Sequence, residues 1–209
     1  MVLGNHGRGF TAAVFGPLAH LLVRLRVSPN VVTVIGTVAT SAAALLLLPP
    51  GHLVAGVLVV LVLAFADSVD GLMARELGRE SAFGAYLDST MDRITDAAIF
   101  TALGLYLLGQ DEQRWQGLGL GLAMACVFAG MLVSYARARA EGLGISAKAG
   151  IAERTDRLVF AGIATLAVGL GASPVVLVVA LALLVLANLV TVVQRSLVVH
   201  RASTEQERT

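Results

Sequence analysis

Residues 67–93 read DSVDGLMARELGRESAFGAYLDSTMDR and place four aspartates within or at the ends of strongly apolar sequence. Asp67 and Asp70 are three residues apart, and Asp88 and Asp92 are four apart, so each pair shares one face of a helix. Carboxylates are costly inside a bilayer and usually have a function there. This segment therefore predicts a metal-ion site in a membrane protein.

The rest of the chain has the composition of a polytopic membrane protein. Its 209 residues are 57% hydrophobic and 14% charged, with a mean hydropathy of +0.83, whereas a soluble domain is about 45–50% apolar. We predict an all-α integral membrane protein with six transmembrane helices. The six apolar spans are 31–48, 52–72, 84–108, 115–136, 158–172 and 174–194.

The segment before the first span predicts an interfacial amphipathic helix, because apolar residues recur there at helical spacing. They are Phe10, Val14, Leu18, Leu21, Leu22 and Leu25. Pro17 interrupts the pattern and leaves an irregular arm as the alternative. We divide the chain into this arm (1–27), one membrane domain (28–200) and a disordered tail (201–209).

The basic residues predict the orientation of the chain. With these spans, 14 of the 15 Lys and Arg residues fall on one side of the membrane, which the positive-inside rule makes cytoplasmic. We expect a bacterial plasma-membrane protein with both termini and the site facing the cytoplasm, and with membrane lipids rather than nucleic acid as partners. The single Cys126 lies within a span and predicts no disulfide.

The aspartate pairs should converge, because the short connection between the second and third spans makes these helices antiparallel neighbours. Four carboxylates together would repel one another, and divalent cations would relieve that repulsion. Oxygen-only ligation favours Mg²⁺, Mn²⁺ or Ca²⁺ over zinc. Asp96 lies one helical turn after Asp92 on the same face, where it could be a further ligand or a partner of Arg93.

Small residues beside the aspartates leave room for a ligand. Gly71 and Gly84 each lie one helical turn from an aspartate, and a missing Cβ there allows close approach to the backbone. Ala74 adds only a small side chain to the same face, and Arg75 could pair with a phosphate.

The order D-x2-D-G-x2-A-R-x8-G-x3-D-x3-D resembles the signature of the CDP-alcohol phosphotransferase family. It fixes eight positions over 26 residues: Asp67, Asp70, Gly71, Ala74, Arg75, Gly84, Asp88 and Asp92. The resemblance implies transfer of a phosphatidyl group from CDP-diacylglycerol to an alcohol, with release of CMP. It also implies two Mg²⁺ ions, with Mn²⁺ as a possible substitute, and a homodimer.

The same resemblance assigns roles to individual residues. It implies that Asp67, Asp70 and Asp88 bind metal, that Asp88 takes part in catalysis, and that Asp92 binds metal and acts as general base. It places Gly71, Ala74, Arg75 and Gly84 near CDP-diacylglycerol. Residues 28–33, SPNVVT, resemble the Pro-Asn/Asp-x-x-Thr element of the family. The resemblance therefore adds three further CDP-diacylglycerol contacts, namely Pro29, Asn30 and Thr33, although Ser28 or Asn30 could also simply cap the first span.

The acceptor alcohol is suggested by a basic cluster around the fourth connection. A cationic pocket favours an acceptor that already carries phosphate, although these charges could also serve only to orient the chain. The region resembles phosphatidylinositol phosphate synthases of actinobacterial type, which implies inositol 1-phosphate as acceptor. The matching positions are Ser134, Arg137, Arg154 and Arg195, with Arg139 and Arg157 as weaker candidates.

Three alternatives remain open from the sequence. A phosphatidylglycerophosphate synthase would also use a phosphorylated acceptor, glycerol 3-phosphate. A divalent-cation transporter would also carry intramembrane aspartates. A non-catalytic scaffold would tolerate the loss of Asp92.

Overall fold

The computed structural model describes residues 16–78, 81–110, 113–147 and 149–206. The side chains of Phe65, Asp67, Ser68, Gln113, Arg114 and Gln206 lie outside this description. Within the described ranges the secondary structure is helical and contains no strand. Seven helices are described: α1 (16–24), α2 (Pro29–Leu47), α3 (Leu53–Glu76), α4 (Ala82–Leu108), α5 (Gln113–Glu141), α6 (Arg154–Gly169) and α7 (Val175–Gln206).

Each predicted span lies on one of the helices α2–α7, which confirms the all-helical class. Four helical segments of the described chain are long and apolar enough to cross a membrane: Pro29–Leu47, Leu53–Glu76, Trp115–Glu141 and Val175–Glu205. Helix α4 carries four charged residues between Asp88 and Asp96, and α6 has only 16 residues, so neither satisfies the same criterion. The count of six spans stays a prediction.

Three helices end in the same hydrogen-bonded turn, which requires a left-handed residue just after the helix. The left-handed residue is Gly144 (φ 76°) after α5 and Gly171 (φ 106°) after α6. Glycine adopts this conformation without steric cost. After α1 the position is held by Arg26 (φ 57°), and the Val27 amide donates to the Leu22 carbonyl at 3.0 Å. The chain therefore turns sharply between α1 and α2 at a residue that favours this conformation much less than glycine.

The described chain divides into two compact units, whereas the sequence predicts one membrane domain over 28–200. The first unit contains 16–47 and 55–99 of the described residues. Its core joins α1 to α3, since Ala19 is buried with Val69 and Met73. His20 and Glu76 also join the same two helices, with 2.5 Å between Nδ1 and Oε1.

The predicted amphipathic helix is only partly covered by the structure. Phe10 and Val14 lie outside the described residues, and Leu18, Leu21 and Leu25 are exposed. A helix is present over 16–24, and its placement at a membrane surface stays a prediction.

The second unit contains Leu48–Val54 and the described residues from Phe100 onward. Helices α5 and α6 both pack against α7. Leu107 is fully buried and approaches Gly119 so closely that a Cβ there would lie 2.8 Å from the leucine side chain. A glycine at this point therefore allows α4 and α5 to approach each other within this unit.

Helix α7 continues through residues 201–206, a range that the sequence analysis assigned to a disordered tail. Residues 207–209 lie outside the described chain. Arg201, Ala202 and Glu205 are strong helix formers, so they extend a helix that is already nucleated.

Candidate active site

The first unit brings together motif elements that are far apart in the sequence. Thr33 is buried on α2, and its hydroxyl donates a hydrogen bond to a carboxylate oxygen of Asp70 on α3. The same hydroxyl lies 3.2 Å from the carbonyl oxygen of Pro29, one helical turn earlier. The Pro-Asn-x-x-Thr element therefore fixes the orientation of one predicted metal ligand.

A second contact joins α2 to the start of α4. A Cβ on Gly84 would lie 3.7 Å from Oδ1 of Asn30 and 3.2 Å from Oγ of Ser81. The Gly84 amide donates to Ser81 Oγ at 3.0 Å, so Ser81 satisfies one of the free amides at the start of α4. Sequence reasoning missed Ser81, although a serine three residues before Gly84 is a typical helix-start signal.

One carboxylate from each acidic pair interacts with the other pair, Asp70 on α3 with Asp88 on α4. Asp88 is exposed, and its charge acts on the half-buried Asp70 carboxylate within the first unit. Asp92 is half-buried, with 3.7 Å between its Oδ2 and Nη2 of Arg93. The same Arg93 nitrogen lies 3.7 Å from Oδ2 of the buried Asp96, which supports Asp96 as a partner of Arg93.

The side chain of Asp67 lies outside the described residues, so the convergence of four carboxylates stays a prediction. Among the side chains that are described, no group of three acidic, histidine or cysteine residues is placed to hold a metal ion. The donors that are described nevertheless fit a hard divalent cation. Asp70 and Asp88 offer only oxygen atoms as ligands and act on each other electrostatically. Thr33 donates a hydrogen bond to Asp70, as residues outside the ligand shell commonly do at metal sites.

The remaining predicted nucleotide contacts follow the last turns of α3. Gly71 and Arg75 are exposed and Ala74 is half-buried. Among the described side chains, a Cβ on Gly71 would meet only Nη2 of Arg75, at 4.0 Å. The Arg75 guanidinium therefore lies beside the position where Gly71 lacks a side chain.

The predicted acceptor residues all belong to the second unit. Ser134 and Arg137 lie on α5, Arg154 begins α6, and Arg195 is on α7. The side chain of Arg195 is buried, with Nε 2.9 Å from the Ala149 carbonyl oxygen and Nη1 2.5 Å from that of Val133. This places the Arg195 guanidinium next to the backbone of Ser134.

Two of these side chains also have partners on their own helix. The Ser134 hydroxyl donates to the Gly130 carbonyl at 3.2 Å, and Arg137 Nε lies 2.9 Å from Oε1 of Glu141. The charge of Arg137 acts on Arg195. Ser134, Arg137 and Arg195 therefore occupy one neighbourhood of the second unit.

The two weaker acceptor candidates, Arg139 and Arg157, differ in exposure. Arg139 is exposed on α5, whereas Arg157 is 2% exposed and donates from Nη1 to Oδ1 of Asn188 at 3.2 Å. Its guanidinium lies against Gly130, where a Cβ would be 3.6 Å from Cζ. Arg157 thus links α5, α6 and α7 inside the unit.

The chain belongs to the CDP-alcohol phosphatidyltransferase family, whose profile matches residues 26–193. It is therefore a CDP-alcohol phosphatidyltransferase by family, as the aspartate signature predicts. It is 46% identical to the phosphatidylinositol phosphate synthase of Cutibacterium acnes over 205 residues, which cover 95% of this chain and 98% of that protein. It is 39% identical to the Streptomyces avermitilis protein of the same name, over 99% of this chain and 86% of that one.

Solved structures of phosphatidylinositol phosphate synthase from Mycobacterium tuberculosis have the same fold. The structure with CDP-DAG bound matches with a TM-score of 0.83 and 37% identity, over 90% of this chain and 94% of that chain. The structure in complex with manganese and citrate matches with a TM-score of 0.81 at the same identity, over 88% of this chain and 87% of that one.

Proposed function

We propose that this enzyme transfers the phosphatidyl group of CDP-diacylglycerol to inositol 1-phosphate, giving phosphatidylinositol phosphate and CMP. The observation that carries the chemistry is the hydrogen bond from Thr33 to Asp70, since it joins two separate parts of the family signature in one site. The names of the relatives and the arginines of the second unit support the acceptor.

The proposed metal ligands are Asp67, Asp70, Asp88 and Asp92, holding two Mg²⁺ ions, with Mn²⁺ as an alternative. Bound divalent cations would neutralise the diphosphate and stabilise the charge on the departing CMP. Thr33 would keep the Asp70 carboxylate in a fixed orientation.

In the proposed reaction, an acceptor hydroxyl oxygen forms a bond to the phosphorus of the phosphatidyl group, and the bond from that phosphorus to the CMP oxygen breaks. Asp92 would take the hydroxyl proton as general base. Pro29, Asn30, Gly71, Ala74, Arg75 and Gly84 would contact CDP-diacylglycerol together with Thr33. The approach of Asn30 to Gly84 supports this assignment, because it puts two of these positions side by side.

We propose that Ser134, Arg137, Arg154 and Arg195 bind the acceptor phosphate. Arginine suits this task because its planar guanidinium forms paired hydrogen bonds to phosphate oxygens. The setting would be the cytoplasmic face of a bacterial plasma membrane, with the enzyme as a homodimer.

The test is CMP release by the purified full chain with CDP-diacylglycerol and Mg²⁺. Inositol 1-phosphate, glycerol 3-phosphate, free inositol and serine are offered separately. Release with inositol 1-phosphate alone is the expected result. Release with glycerol 3-phosphate instead would keep the chemistry and replace the acceptor, and no release with any of them would refute the proposal.

Asp92→Asn tests the general base, because it keeps the size of the side chain and removes its capacity to accept a proton. The variant should fold and release almost no CMP. Full activity in Asp92→Asn would remove Asp92 from the role of general base.

A further inference from the structure

One turn of α7 holds the segment that leads into α6. We call Ala149–Glu153 the lead segment, because Arg154 begins α6 directly after it. Thr191 and Arg195 are four residues apart on α7 and so share one face. Both are buried, and both contact the lead segment.

The contacts made by Thr191 use both branches of its side chain. Its hydroxyl oxygen accepts a hydrogen bond from the Ala152 amide at 3.1 Å and donates one to the Ala187 carbonyl at 2.8 Å. Its methyl group packs on Gly150, where a Cβ would lie 2.4 Å from Cγ2. The backbone of Gly150 has a φ of 147°, which also disfavours any other residue.

These contacts hold the backbone directly before the start of α6. The amide of Glu153 donates to Oδ2 of Asp156 at 3.2 Å, and the Arg157 amide donates to the Glu153 carbonyl at 3.1 Å, so the first turn of α6 continues directly from the held backbone. Arg154 lies within that first turn. A shift of the lead segment away from Thr191 would therefore move the Arg154 side chain relative to Arg195.

We infer that Thr191, packed on Gly150, is a positioning residue that sets Arg154 for the acceptor phosphate. The inference rests on the proposed function, in which Arg154 binds that phosphate. Thr191 acts through the backbone, so it determines acceptor affinity without contacting the substrates. A site whose ligating side chain is held by buried hydrogen bonds of this kind loses affinity when the support is removed.

The primary variant is Thr191→Val, which keeps the shape of the side chain and removes the hydroxyl group. Thr191→Ser is the matched control, since it keeps the hydroxyl and removes only the methyl group. Loss of the acceptor for the buried Ala152 amide should raise the KM for inositol 1-phosphate by about three- to tenfold. The KM for CDP-diacylglycerol should stay within about twofold of the wild-type value, and the serine variant should stay near wild type for both substrates.

A second measurement follows the hydrogen bond itself and needs no substrate. Amide hydrogen exchange at Ala152 should be at least about fivefold faster in Thr191→Val than in the wild type, while Thr191→Ser should protect this amide. Unchanged exchange at Ala152 in the valine variant would overturn the inference. Equal increases in both KM values would also overturn it, because they would indicate a general structural role.

Gly150→Ala provides an independent check from the other side of the contact. It should raise the acceptor KM, and Thr191→Ser in the same chain should lower it again, since the serine lacks the methyl group that the new Cβ would meet. If the two changes are simply additive, the Cβ added at Gly150 does not act on acceptor binding through Thr191.

The outcomes separate this inference from the proposed function. If the wild-type enzyme releases CMP only with glycerol 3-phosphate, the acceptor assignment fails, and the same KM comparison with that acceptor tests Thr191. If it releases none, the proposed function and the acceptor role of Thr191 fail together, whereas faster exchange at Ala152 would still establish the contact.

Discussion

Removing the hydroxyl group of Thr33 should weaken metal binding more than any other property of the enzyme. Thr33 is 5% exposed and donates to the carboxylate of Asp70, so Thr33→Val deletes a charge-assisted hydrogen bond without changing the shape of the side chain. Such bonds contribute about 1.5–3 kcal/mol, and changes behind a metal ligand typically cost about 10–100-fold in affinity or activity. Because Asp70 is half-buried and water can partly replace the lost donor, we expect the lower end, about tenfold.

The assay is CMP release as a function of Mg²⁺ concentration at saturating CDP-diacylglycerol and acceptor. Thr33→Val should need about ten times more Mg²⁺ for half-maximal rate, corresponding to about 1.4 kcal/mol. Thr33→Ser keeps the donor and should titrate within about twofold of the wild type. An unchanged Mg²⁺ titration in the valine variant would refute the reasoning. A rise only in the KM for CDP-diacylglycerol would show that Thr33 acts through its proposed contact with that substrate and not through the metal ligand Asp70.

Three further predictions follow from single positions. Asp88→Ala should abolish CMP release at any Mg²⁺ concentration, and normal turnover would contradict the proposed metal ligands. Arg195→Gln should raise the KM for the acceptor much more than that for CDP-diacylglycerol, while equal increases would reduce Arg195 to a structural role. Gly104→Ala would place its Cβ 2.9 Å from that of Ala123 and should lower stability in thermal unfolding by about 1–3 kcal/mol. The Cβ of Gly121→Ala would meet no atom of the described chain within 4 Å, so this variant should keep its stability. Equal losses of stability in the two variants would contradict the packing argument.

The sequence predicted the helices well, because apolar runs of bilayer length have few other outcomes in a chain of this composition. A helical repeat of three and four residues also predicts that the carboxylates of each pair share one helix face, and the structure adds the hydrogen bond from Thr33 to Asp70. The contact between Asn30 and Gly84 could not be derived from spacing alone, because it depends on how α2 packs beside the start of α4. Only the resemblance to the family linked those two elements in advance.

The second unit was harder to predict because an arginine side chain is long and can point in several directions. Arg157 and Arg195 are equally basic in the sequence, but Arg157 is enclosed between helices and bonded to Asn188. Thr191 gave no signal at all, since a single threonine in an apolar helix usually bonds only to its own backbone. Its role depends on the close approach of Gly150, which arises from tertiary packing.

The partners of Arg195 bear on how it could hold a phosphate. Two of its donor nitrogens are directed at backbone carbonyl oxygens, which are neutral acceptors. Carbonyl oxygens orient a guanidinium without cancelling its charge, whereas a carboxylate in direct contact, such as Glu141 with Arg137, offsets it. Glu141 and Glu153 also act on Arg195 through their charges. Arg195 can therefore be rigid and buried while keeping a net positive charge that attracts an anion. A cation that is held in place before the ligand arrives loses little conformational freedom on binding. The same bonds explain why Arg195→Gln should affect acceptor binding and the position of the lead segment together, whereas Thr191→Val changes the segment and leaves the charge intact.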